Sequence, residues 1–431
     1  MTTDGPVRPT EGGTTVIIPR PRTIQPEQGF VEHVEADVVV RHDSSLGVEG
    51  YRLDAGPEGI VLTAGDEAGE LYGRTTLRAL GKIPFGAIVD GPRFAWRGVM
   101  LDTARHFMPT PFVLQLVDLL AEHKLNVLQL HLTDDQGWRM PIARYPRLTE
   151  VSGEHYSRSE IETIVAYAAA RNVTVVPEIN VPGHVQAALA AYPELGNVPG
   201  VEVWRGWGIS RHTLNLEEST LDFFRHVLDE VMELFPSRYV HLGGDECLAD
   251  EWAASPRALE RITELGLPGP GAARAWVTAQ LAAHVESRGR RAAYWYEKPD
   301  GPAGALAMTW LDEESGTTAA LAGHDVVLTP HLRTYFDYPT QDEAGPFSPD
   351  RILPLENAYA FVPPTPVGAE GRVIGVQAQL WTEYLPTPQD VLRQAFPRLC
   401  AFAEVAWGTA DDYDDFLNRL PSHLARLGLD T

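Results

Sequence analysis

The sequence predicts an α/β fold in which a (β/α)8 TIM barrel follows a small α+β domain. From about Arg97 onward, short apolar runs alternate with amphipathic stretches, which is typical of successive βα units on a parallel sheet. Eight such runs can be counted. Eight parallel strands with intervening helices close into a barrel, and the residues that follow the strands meet at one end of it.

The eight predicted barrel strands are short and rich in apolar side chains. They lie at residues 98–102, 126–131, 173–178, 239–242, 292–295, 305–310, 326–329 and 375–380. Helix start signals lie between them: Thr110 before Pro111 predicts a cap with proline at the first helical position, and Ser157 with Glu160 predicts a capping box. Pro397 is predicted to kink or divide the last long helix, which should begin after Thr387.

Residues 1–92 are predicted to form the small domain, and residues 93–431 the barrel domain. The predicted elements of the small domain are strands at residues 14–18, 36–40 and 59–63 and a helix from Glu67 to Leu80. A cluster of proline and glycine then predicts the passage into the barrel. The cluster consists of Pro84, Gly86, Gly91 and Pro92.

The composition limits the class of protein and of partner. The chain has 431 residues, 44% of them hydrophobic, which is enough for a large core. A formal net charge of −24 argues against nucleic acid or an anionic membrane as partner, because both would repel such a surface. A neutral small molecule or a sugar is therefore the expected partner, and the oligomeric state is left open.

Location and cofactors are predicted from what the sequence lacks. Residues 1–6 do not contain the basic and apolar regions of a secretory signal, and no apolar run approaches membrane-spanning length. A cytoplasmic location is expected if Met1 is the native start. Cys247 and Cys400 are too few for a disulfide framework and lie in no metal-ligand spacing, so no metal and no cofactor is predicted.

The most informative motif is a pair of carboxylates, Asp245 and Glu246, which follows the fourth predicted barrel strand and two glycines. Neighbouring carboxylates repel each other, so one tends to keep a proton while the other ionises, and acid/base chemistry requires this division. Taken alone, such a dipeptide is more often a solvated turn. Gly243 and Gly244 favour a functional loop, because glycines permit unusual backbone conformations and loops at strand ends commonly carry binding and catalytic residues.

Polar and aromatic residues follow the other predicted strands as well. They are Asp102, Arg105, His106, Asp134, Asp135, Gln136, Trp138, Glu178, Asn180, His184, Trp295, Glu297, Trp310, Asp312, Tyr335, Asp337, Trp381 and Glu383. Taken singly, a tryptophan usually belongs to a core, and a histidine or arginine usually completes a hydrogen-bond network. Together, tryptophans can stack on a sugar ring while arginine and carboxylates bind its hydroxyls, so the set indicates a carbohydrate ligand.

Two other chemistries fit these residues less well. A mononuclear metal site could include His184 and neighbouring carboxylates, but their spacing matches no recognised ligand motif. A Ser-His-Asp hydrolase is favoured still less, since the chain contains no Gly-x-Ser-x-Gly motif.

The motifs and their order resemble the β-N-acetylhexosaminidases of glycoside hydrolase family 20. The matching stretches are residues 94–98, 102–107, 130–138, 177–184, 241–246 and 380–383, and residues 50–53 and 70–73 resemble the small domain that precedes the barrel in that family. The resemblance implies retaining exo-hydrolysis of terminal β-linked N-acetylglucosamine or N-acetylgalactosamine. In that reaction the substrate's own 2-acetamido oxygen attacks the anomeric carbon, so the enzyme supplies no carboxylate nucleophile.

The resemblance also implies catalytic roles. Glu246 would be the general acid and later the general base, with a pKa raised by its neighbour and by burial. Asp245 would stay ionised and stabilise the positive charge of an oxazolinium intermediate, and Tyr335 would donate to the acetamido oxygen. Asp134 and His184 would form a pair that tunes Glu246. The residues implied to bind the sugar are Arg105, Trp295, Trp310, Asp337, Trp381 and Glu383.

The chain departs from the family pattern at Asn180 and in lacking the tryptophan that the family often places between Tyr335 and Leu355, and two alternative functions stay open. Asn180 stands where the family usually has aspartate, so the charge around His184 is expected to differ. One alternative is a relative of narrower specificity, such as a lacto-N-biosidase or a hexosaminidase for sulfated sugars. The other is a glycan-binding protein that has lost catalysis, which the presence of Asp245, Glu246 and Tyr335 disfavours because binding alone needs no acid beside a fixed carboxylate.

Overall fold

The computed structural model describes residues 17–32, 37–341 and 351–429. By their contacts these residues form two compact units. The smaller unit contains the described residues up to Arg93 together with those from Trp407 onward, and the larger unit is Phe94–Ala406. Within the described ranges, no helix has the length and apolar character needed to span a membrane.

The smaller unit is built on a five-stranded sheet and one long helix. Its elements are β1 (Thr23–Glu32), β2 (Val38–His42), β3 (Tyr51–Gly56), β4 (Gly59–Ala64), helix α1 (Glu67–Leu80) and β5 (Lys82–Asp90). The strand order is β1-β5-β3-β4-β2, with β2 and β4 parallel and the other pairs antiparallel. Helix α1 confirms the predicted helix, and Asp66 caps it by accepting the backbone N–H of Gly69 at 2.8 Å.

The sequence does not predict β1, β3 and β5. Strand β5 contains Pro84 and Gly86, which the sequence predicts as part of the passage into the barrel. Gly86 has φ of 114°, and a side chain there would overlap the Gln25 carbonyl, so the glycine permits close pairing with β1 instead of ending the strand. Most of the strand predicted at residues 14–18 lies outside the described residues, and its last two residues are not in a strand.

The larger unit contains a closed barrel of eight parallel strands, as predicted. The strands are β6 (Trp96–Asp102), β7 (Val127–His131), β10 (Thr174–Glu178), β11 (Tyr239–His241), β12 (Arg291–Tyr296), β13 (Leu306–Thr309), β14 (Val326–Leu328) and β15 (Val373–Leu380). Strand β15 pairs with β6 and closes the barrel. A short hairpin of β8 (Thr133–Asp134) and β9 (Gly137–Trp138) follows β7.

Helices connect the strands of the barrel. They are α2 (Thr110–Glu122), α3 (Arg147–Glu150), α4 (Arg158–Ala169), α5 (Gln186–Ala191), α6 (Glu218–Leu234), α7 (Asp250–Ala254), α8 (Pro256–Glu264), α9 (Ala273–Ser287), α10 (Glu313–Leu321), α11 (His331–Thr334), α12 (Leu355–Tyr359), α13 (Pro388–Ala395) and α14 (Arg398–Trp407). The predicted capping box at Ser157 is confirmed. Pro397 separates α13 from α14 as predicted. The predicted cap at Thr110 is wrong, because Thr110 is the first residue of α2 and its hydroxyl donates to Glu160 at 3.0 Å.

The last helix, α15 (Tyr413–Leu427), belongs to the smaller unit, although the sequence assigns all of residues 93–431 to the barrel domain. The Arg419 guanidinium donates to the Ile17 carbonyl at 2.8 Å. The Trp407 indole N–H donates to Asp90 at 2.7 Å, and the Tyr51 hydroxyl donates to the same carboxylate at 2.6 Å. These buried hydrogen bonds tie the C-terminal segment into the core of the smaller unit.

The barrel interior changes from apolar to polar towards the C-terminal ends of the strands. On β7, alternate residues share a face, so Val127, Gln129 and His131 follow one another along the interior. Val127 belongs to an apolar cluster. Its other buried members are Trp96, Val176, Ala293, Trp295, Leu306, Met308 and Val327. Gln129 accepts from the Gln377 side chain at 2.9 Å, and His131 lies among charged groups, so the floor of the site is polar and buried.

Candidate active site

The pair Asp245 and Glu246 lies in a tight loop directly after β11. The backbone is left-handed at Gly243 (φ 67°), Gly244 (φ 93°) and Glu246 (φ 47°). A side chain at Gly243 would overlap that of Asn180, so glycine is required there. Glu246 is the one residue of these three that is not glycine, and a residue with a long side chain rarely adopts positive φ. Backbone strain of this kind is concentrated at functional sites.

Four side chains and one backbone N–H, that of Trp295, hold this loop. The contacts are Gly243 N–H to His241 Nδ1 at 3.0 Å, Gly244 N–H to Asn180 Oδ1 at 3.1 Å, Arg274 Nη1–H to Gly244 O at 2.8 Å, Trp295 N–H to Gly243 O at 2.9 Å, and Glu246 N–H to Glu297 at 3.1 Å. Glu297 therefore helps to stabilise the left-handed conformation of Glu246. The sequence places Glu297 at a strand end but assigns it no role, because its hydrogen-bond partner Glu246 follows a different strand and is 51 positions away.

Asp245 is buried and contacts both an amide and an imidazole. Asn180 Nδ2–H donates to Asp245 Oδ1 at 3.0 Å, and His184 Nε2 lies 3.9 Å from Oδ2. Burial raises the pKa of Asp245, against the charge of His184, while the Glu246 charge raises it further. The Asn180 side chain thus donates a hydrogen bond to this carboxyl without placing a second charge beside it.

Glu246 differs from the prediction. Burial acts to raise its pKa, but the polar contact and charge of His184, with the charge of Arg105, outweigh burial and leave the pKa of Glu246 below its ordinary value. The predicted upward shift is therefore wrong for this site. His184 Nε2 lies 3.6 Å from Glu246 Oε2, closer than to Asp245, which explains why the carboxylate beside the imidazole is the one held ionised.

Five residues form what we call the ion-pair network: Glu178, His131, Asp134, His184 and Glu246. Glu178 Oε2 lies 2.8 Å from His131 Nδ1. His131 Nε2 is hydrogen-bonded to Asp134 Oδ2 at 2.8 Å, and Asp134 Oδ1 lies 3.1 Å from His184 Nδ1. The structure thus brings together Asp134 and His184, as predicted, and adds His131 and Glu178, to which the sequence assigns no role.

Arg105 lies beside this network and contacts three carboxylates. Its Nη2 is 3.0 Å from Asp134 and 3.9 Å from Glu383, and its Nη1 is 3.5 Å from Asp102. Its guanidinium carbon lies 5.0 Å from the centre of the Trp381 ring. Burial opposes the charge of Arg105, but the surrounding carboxylates outweigh it and raise its pKa, so the residue is a fixed cation at the edge of the site.

Aromatic side chains form one wall of the site. The rings of Trp295 and Trp381 are 6.1 Å apart, and those of Tyr335 and Trp381 are 6.2 Å apart. Trp310 and Trp381 are partly buried against the same apolar cluster that contains Trp295. Burial raises the pKa of Tyr335, so its hydroxyl keeps its proton at neutral pH and can donate a hydrogen bond.

Several buried polar atoms of the site have no hydrogen-bond partner among residues 17–32, 37–341 and 351–429. They include Trp310 Nε1, Asp337 Oδ1 and His184 Nε2. Burial and the charge of Glu383 raise the pKa of Asp337 well above its usual value. Burial likewise raises the pKa of Glu383, against the charge of Arg105. Because a buried polar atom without a partner is costly, these atoms favour a polar ligand with hydroxyl groups.

The same carboxylates and imidazole also lie close enough to be considered as metal ligands. Ligand atoms of Asp134, Asp135 and His184 lie within 4.8 Å of one another. However, the oxygens of Asp134 already contact His131 and His184, and Arg105 is 3.0 Å away. The positive partners of this carboxylate are therefore protein side chains.

Comparison with protein families gives matches to both units. The model described as glycosyl hydrolase family 20, catalytic domain, matches residues 94–410. The model described as glycosyl hydrolase family 20, domain 2, matches residues 22–90.

Individual proteins and solved structures give the same result. A β-hexosaminidase of Porphyromonas gingivalis is 35% identical over 423 residues, which cover 89% of this chain and 54% of that protein, so the chain spans about half the length of that relative. A crystal structure of a β-N-acetylhexosaminidase superposes with a TM-score of 0.90 at 31% identity, over 96% of this chain and 97% of that chain. A family 20 exo-β-N-acetylglucosaminidase from Vibrio harveyi, solved with N-acetylglucosamine, gives 0.88 at 28% identity, over 99% of this chain and 79% of that chain.

Proposed function

The chain belongs to glycosyl hydrolase family 20, and we propose that it is a retaining exo-β-N-acetylhexosaminidase acting on terminal, non-reducing β-linked N-acetylglucosamine or N-acetylgalactosamine. The observation that carries the proposal is the Asp245 and Glu246 pair at the end of β11, beside a wall of tryptophan and Tyr335. The β-N-acetylhexosaminidase superposition and the N-acetylglucosamine bound to the Vibrio harveyi relative support the substrate class.

In the proposed reaction the substrate supplies its own nucleophile. The oxygen of the 2-acetamido group forms a bond to the anomeric carbon as the glycosidic bond breaks, and Glu246 gives its proton to the leaving oxygen. Asp245 accepts the acetamido N–H and stabilises the positive charge that develops on the oxazolinium ring. Tyr335 donates to the acetamido oxygen. Glu246 then removes a proton from water, which opens the ring and restores the acetamido group with the anomeric configuration retained.

The remaining residues would bind the sugar. Trp295, Trp310 and Trp381 present apolar faces to the ring and the acetamido methyl. The polar residues are Arg105, Asp337 and Glu383, which would bind hydroxyls. Arg105 supplies a fixed donor, and Asp337, with its pKa raised by burial and by the charge of Glu383, supplies a carboxyl that holds a proton more readily than usual, which suits hydroxyl groups that both donate and accept.

The proposal is tested with two 4-nitrophenyl β-glycosides that differ only at carbon 2. One carries the acetamido group and the other a plain hydroxyl. Hydrolysis of the acetamido sugar alone, with the β anomer released first, is the expected result. Hydrolysis of both would contradict substrate assistance, and hydrolysis of neither would favour the binding protein or the narrow-specificity relative.

Two variants test the assigned roles. Glu246→Ala should abolish hydrolysis of substrates with poor leaving groups while binding of N-acetylglucosamine persists. Asp245→Asn should lower kcat on the acetamido sugar by about 100-fold, since one buried group that stabilises a transition-state charge commonly contributes that much. Wild-type turnover in either variant would contradict its role.

A further inference from the structure

Glu178 is a buried carboxylate at the end of β10, below the proposed catalytic pair, and it is fully inaccessible to solvent. Side chains of three neighbouring strands surround its two oxygens. Oε1 accepts from Trp295 Nε1 at 2.9 Å and lies 3.3 Å from His241 Nδ1, while Oε2 accepts from Gln129 Nε2 at 2.7 Å and lies 2.8 Å from His131 Nδ1. A buried charge with this many partners fixes each of them in place.

The surroundings of His131 determine its protonation. Nε2 faces an oxygen of Asp134 and Nδ1 faces an oxygen of Glu178, both at 2.8 Å. An ionised carboxylate opposite each ring nitrogen stabilises the ring with hydrogen on both nitrogens, through a hydrogen bond at Nε2 and an ion-pair contact at Nδ1. Burial opposes this charge, but the two carboxylates, with the charge of Asp102, outweigh it and raise the pKa of His131 to about 10. His131 is therefore an imidazolium over the whole neutral range.

This cation is linked to Glu246 through two further residues. Along the ion-pair network the charges alternate, negative on Glu178 and Asp134 and positive on His131 and His184, as far as Glu246. The charge of Asp134 favours the proton on His184, and His184 contributes more than Arg105 to lowering the pKa of Glu246. Removal of the charge at one end therefore changes the proton affinity at the other.

Glu178 also fixes the aromatic wall. The indole N–H of Trp295 has Glu178 as its acceptor, and the Trp295 ring packs 6.1 Å from Trp381. Loss of this acceptor would leave a buried N–H without a partner and remove the hydrogen bond that orients the ring. Glu178 thus contacts both the aromatic wall, through Trp295, and the ion-pair network that ends at Glu246, through His131.

We propose that Glu178 is a positioning residue of the reaction, which orients Trp295 with one oxygen and, through His131, Asp134 and His184, sets the strength of Glu246 as an acid with the other. The inference rests on the proposed function, because it assumes that Glu246 protonates the leaving group. Glu178 itself touches no substrate.

Glu178→Gln is a sharp test because it conserves shape and removes the charge. Two nitrogens face each oxygen of Glu178: those of Trp295 and His241 face Oε1, and those of Gln129 and His131 face Oε2. At least three of these four nitrogens carry hydrogen. A glutamine amide keeps one accepting oxygen for one of the two pairs and turns its NH2 group towards the other pair. The variant therefore loses either the Trp295 and His241 contacts or the Gln129 and His131 contacts, and in both cases the charge opposite His131.

The measurement compares two 2-acetamido β-glycosides whose leaving groups differ. Phenol is a poor leaving group and needs protonation, whereas 2,4-dinitrophenol leaves without an acid. We expect Glu178→Gln to lower kcat/KM by about 100-fold for the phenyl glycoside and by about 10-fold or less for the dinitrophenyl glycoside. His131→Gln, which removes the cation and keeps Glu178, should show the same selective loss.

The matched control is Trp295→Phe, which removes the indole N–H and keeps an aromatic ring in the wall. It should lower kcat/KM for both substrates by the same factor, because it leaves Glu178 opposite His131. Equal losses for both substrates in Glu178→Gln and His131→Gln would overturn the proposal. If the wild-type protein hydrolysed neither glycoside, the proposed function itself would be refuted.

A wild-type measurement covers the case in which the variants do not fold, which thermal unfolding would reveal. Protein labelled with ¹⁵N-histidine should show buried imidazolium rings, with both nitrogens protonated, at pH 8. Absence of such signals would overturn the proposal, because His131 would then carry no charge to transmit.

Discussion

The Asn180 amide favours the ionised form of Asp245 without contributing a charge, and Asn180→Asp should make that contact depend on pH. In the wild-type protein the amide donates to Asp245 Oδ1 at 3.0 Å and accepts the Gly244 N–H at 3.1 Å. The substitution conserves the accepting oxygen, so the loop keeps its hydrogen bond. It replaces the donor with an oxygen that faces another carboxylate oxygen.

The size of the effect follows from that distance. Two unit charges 3.0 Å apart in a medium of effective dielectric constant 20 repel by about 5.5 kcal/mol. Since about 1.4 kcal/mol corresponds to one pH unit, the two carboxyls should retain a shared proton to a pH several units above their ordinary range. At low pH the introduced carboxyl donates this proton to Asp245 and replaces the amide. As pH rises through the raised pKa, the proton is lost and Asp245 faces an anion.

The assay is kcat/KM for the 4-nitrophenyl acetamido glycoside between pH 4 and pH 9. We expect Asn180→Asp to approach wild-type activity at the acid end and to fall about 100-fold below it at the alkaline end, since Asp245 is then displaced. Asn180→Ala is the control: it lacks both donor and acceptor and should lose activity by the same factor at every pH. A profile of Asn180→Asp parallel to that of the wild-type protein would show that the two carboxyls do not share a proton.

Three further predictions use single groups of the site. Glu297→Ala should lower kcat about 10-fold, because it removes the acceptor of the Glu246 N–H. Glu297→Gln should keep nearly wild-type kcat, because its amide oxygen accepts the same N–H. Equal losses of kcat in the two variants would show that this hydrogen bond does not support catalysis. Burial opposes the charge of Glu178, but two neighbouring histidines outweigh it and lower its pKa, so its contribution to stability is complete above pH 4.5 and is lost as pH falls below it. Calorimetry should show Tm falling on acidification below that pH less steeply in Glu178→Gln, and identical slopes would contradict the assignment. Burial raises the pKa of the Cys247 thiol to about 12, so iodoacetamide at pH 8 should modify Cys247 only after unfolding, as mass spectrometry of the native protein would check.

The barrel could be predicted from the sequence because buried parallel strands are nearly continuous apolar runs. The eight predicted strands differ from β6, β7 and β10–β15 by no more than two residues at either end. Strand β5 could not be predicted, since Pro84 and Gly86 are turn residues by local rules and form a strand only because β1 and β3 pair on both sides. The same limit applies to α15, whose amphipathic pattern does not specify which unit its apolar face joins.

The candidate site divides in the same way. Its residue types could be found at the strand ends, because the barrel brings those ends together. The protonation states of these residues could not be predicted, since they depend on distances between residues that are far apart in sequence. His184 and Glu246 are separated by 62 positions, yet the 3.6 Å between their side chains reverses the predicted direction of the Glu246 pKa. The sequence shows which two residues are present but not the distance between their side chains.

The lowered pKa of Glu246 has a consequence for the proposed acid step. With Glu246 ionised and His184 protonated 3.6 Å away, the two residues together hold one proton that neither the network nor solvent readily removes. His184 Nε2 also lies 3.9 Å from Asp245, the carboxylate beside which the oxazolinium charge would develop. The developing positive charge offsets the stabilisation that Asp245 gives to the His184 imidazolium, and it also repels the imidazolium directly. Both effects lower the pKa of His184, so His184 becomes a stronger acid as the glycosidic bond breaks. The proton is then released towards Glu246 and the leaving oxygen when it is needed. The acid of the reaction is on this account the pair, and its strength is greatest in the transition state, where catalysis requires it.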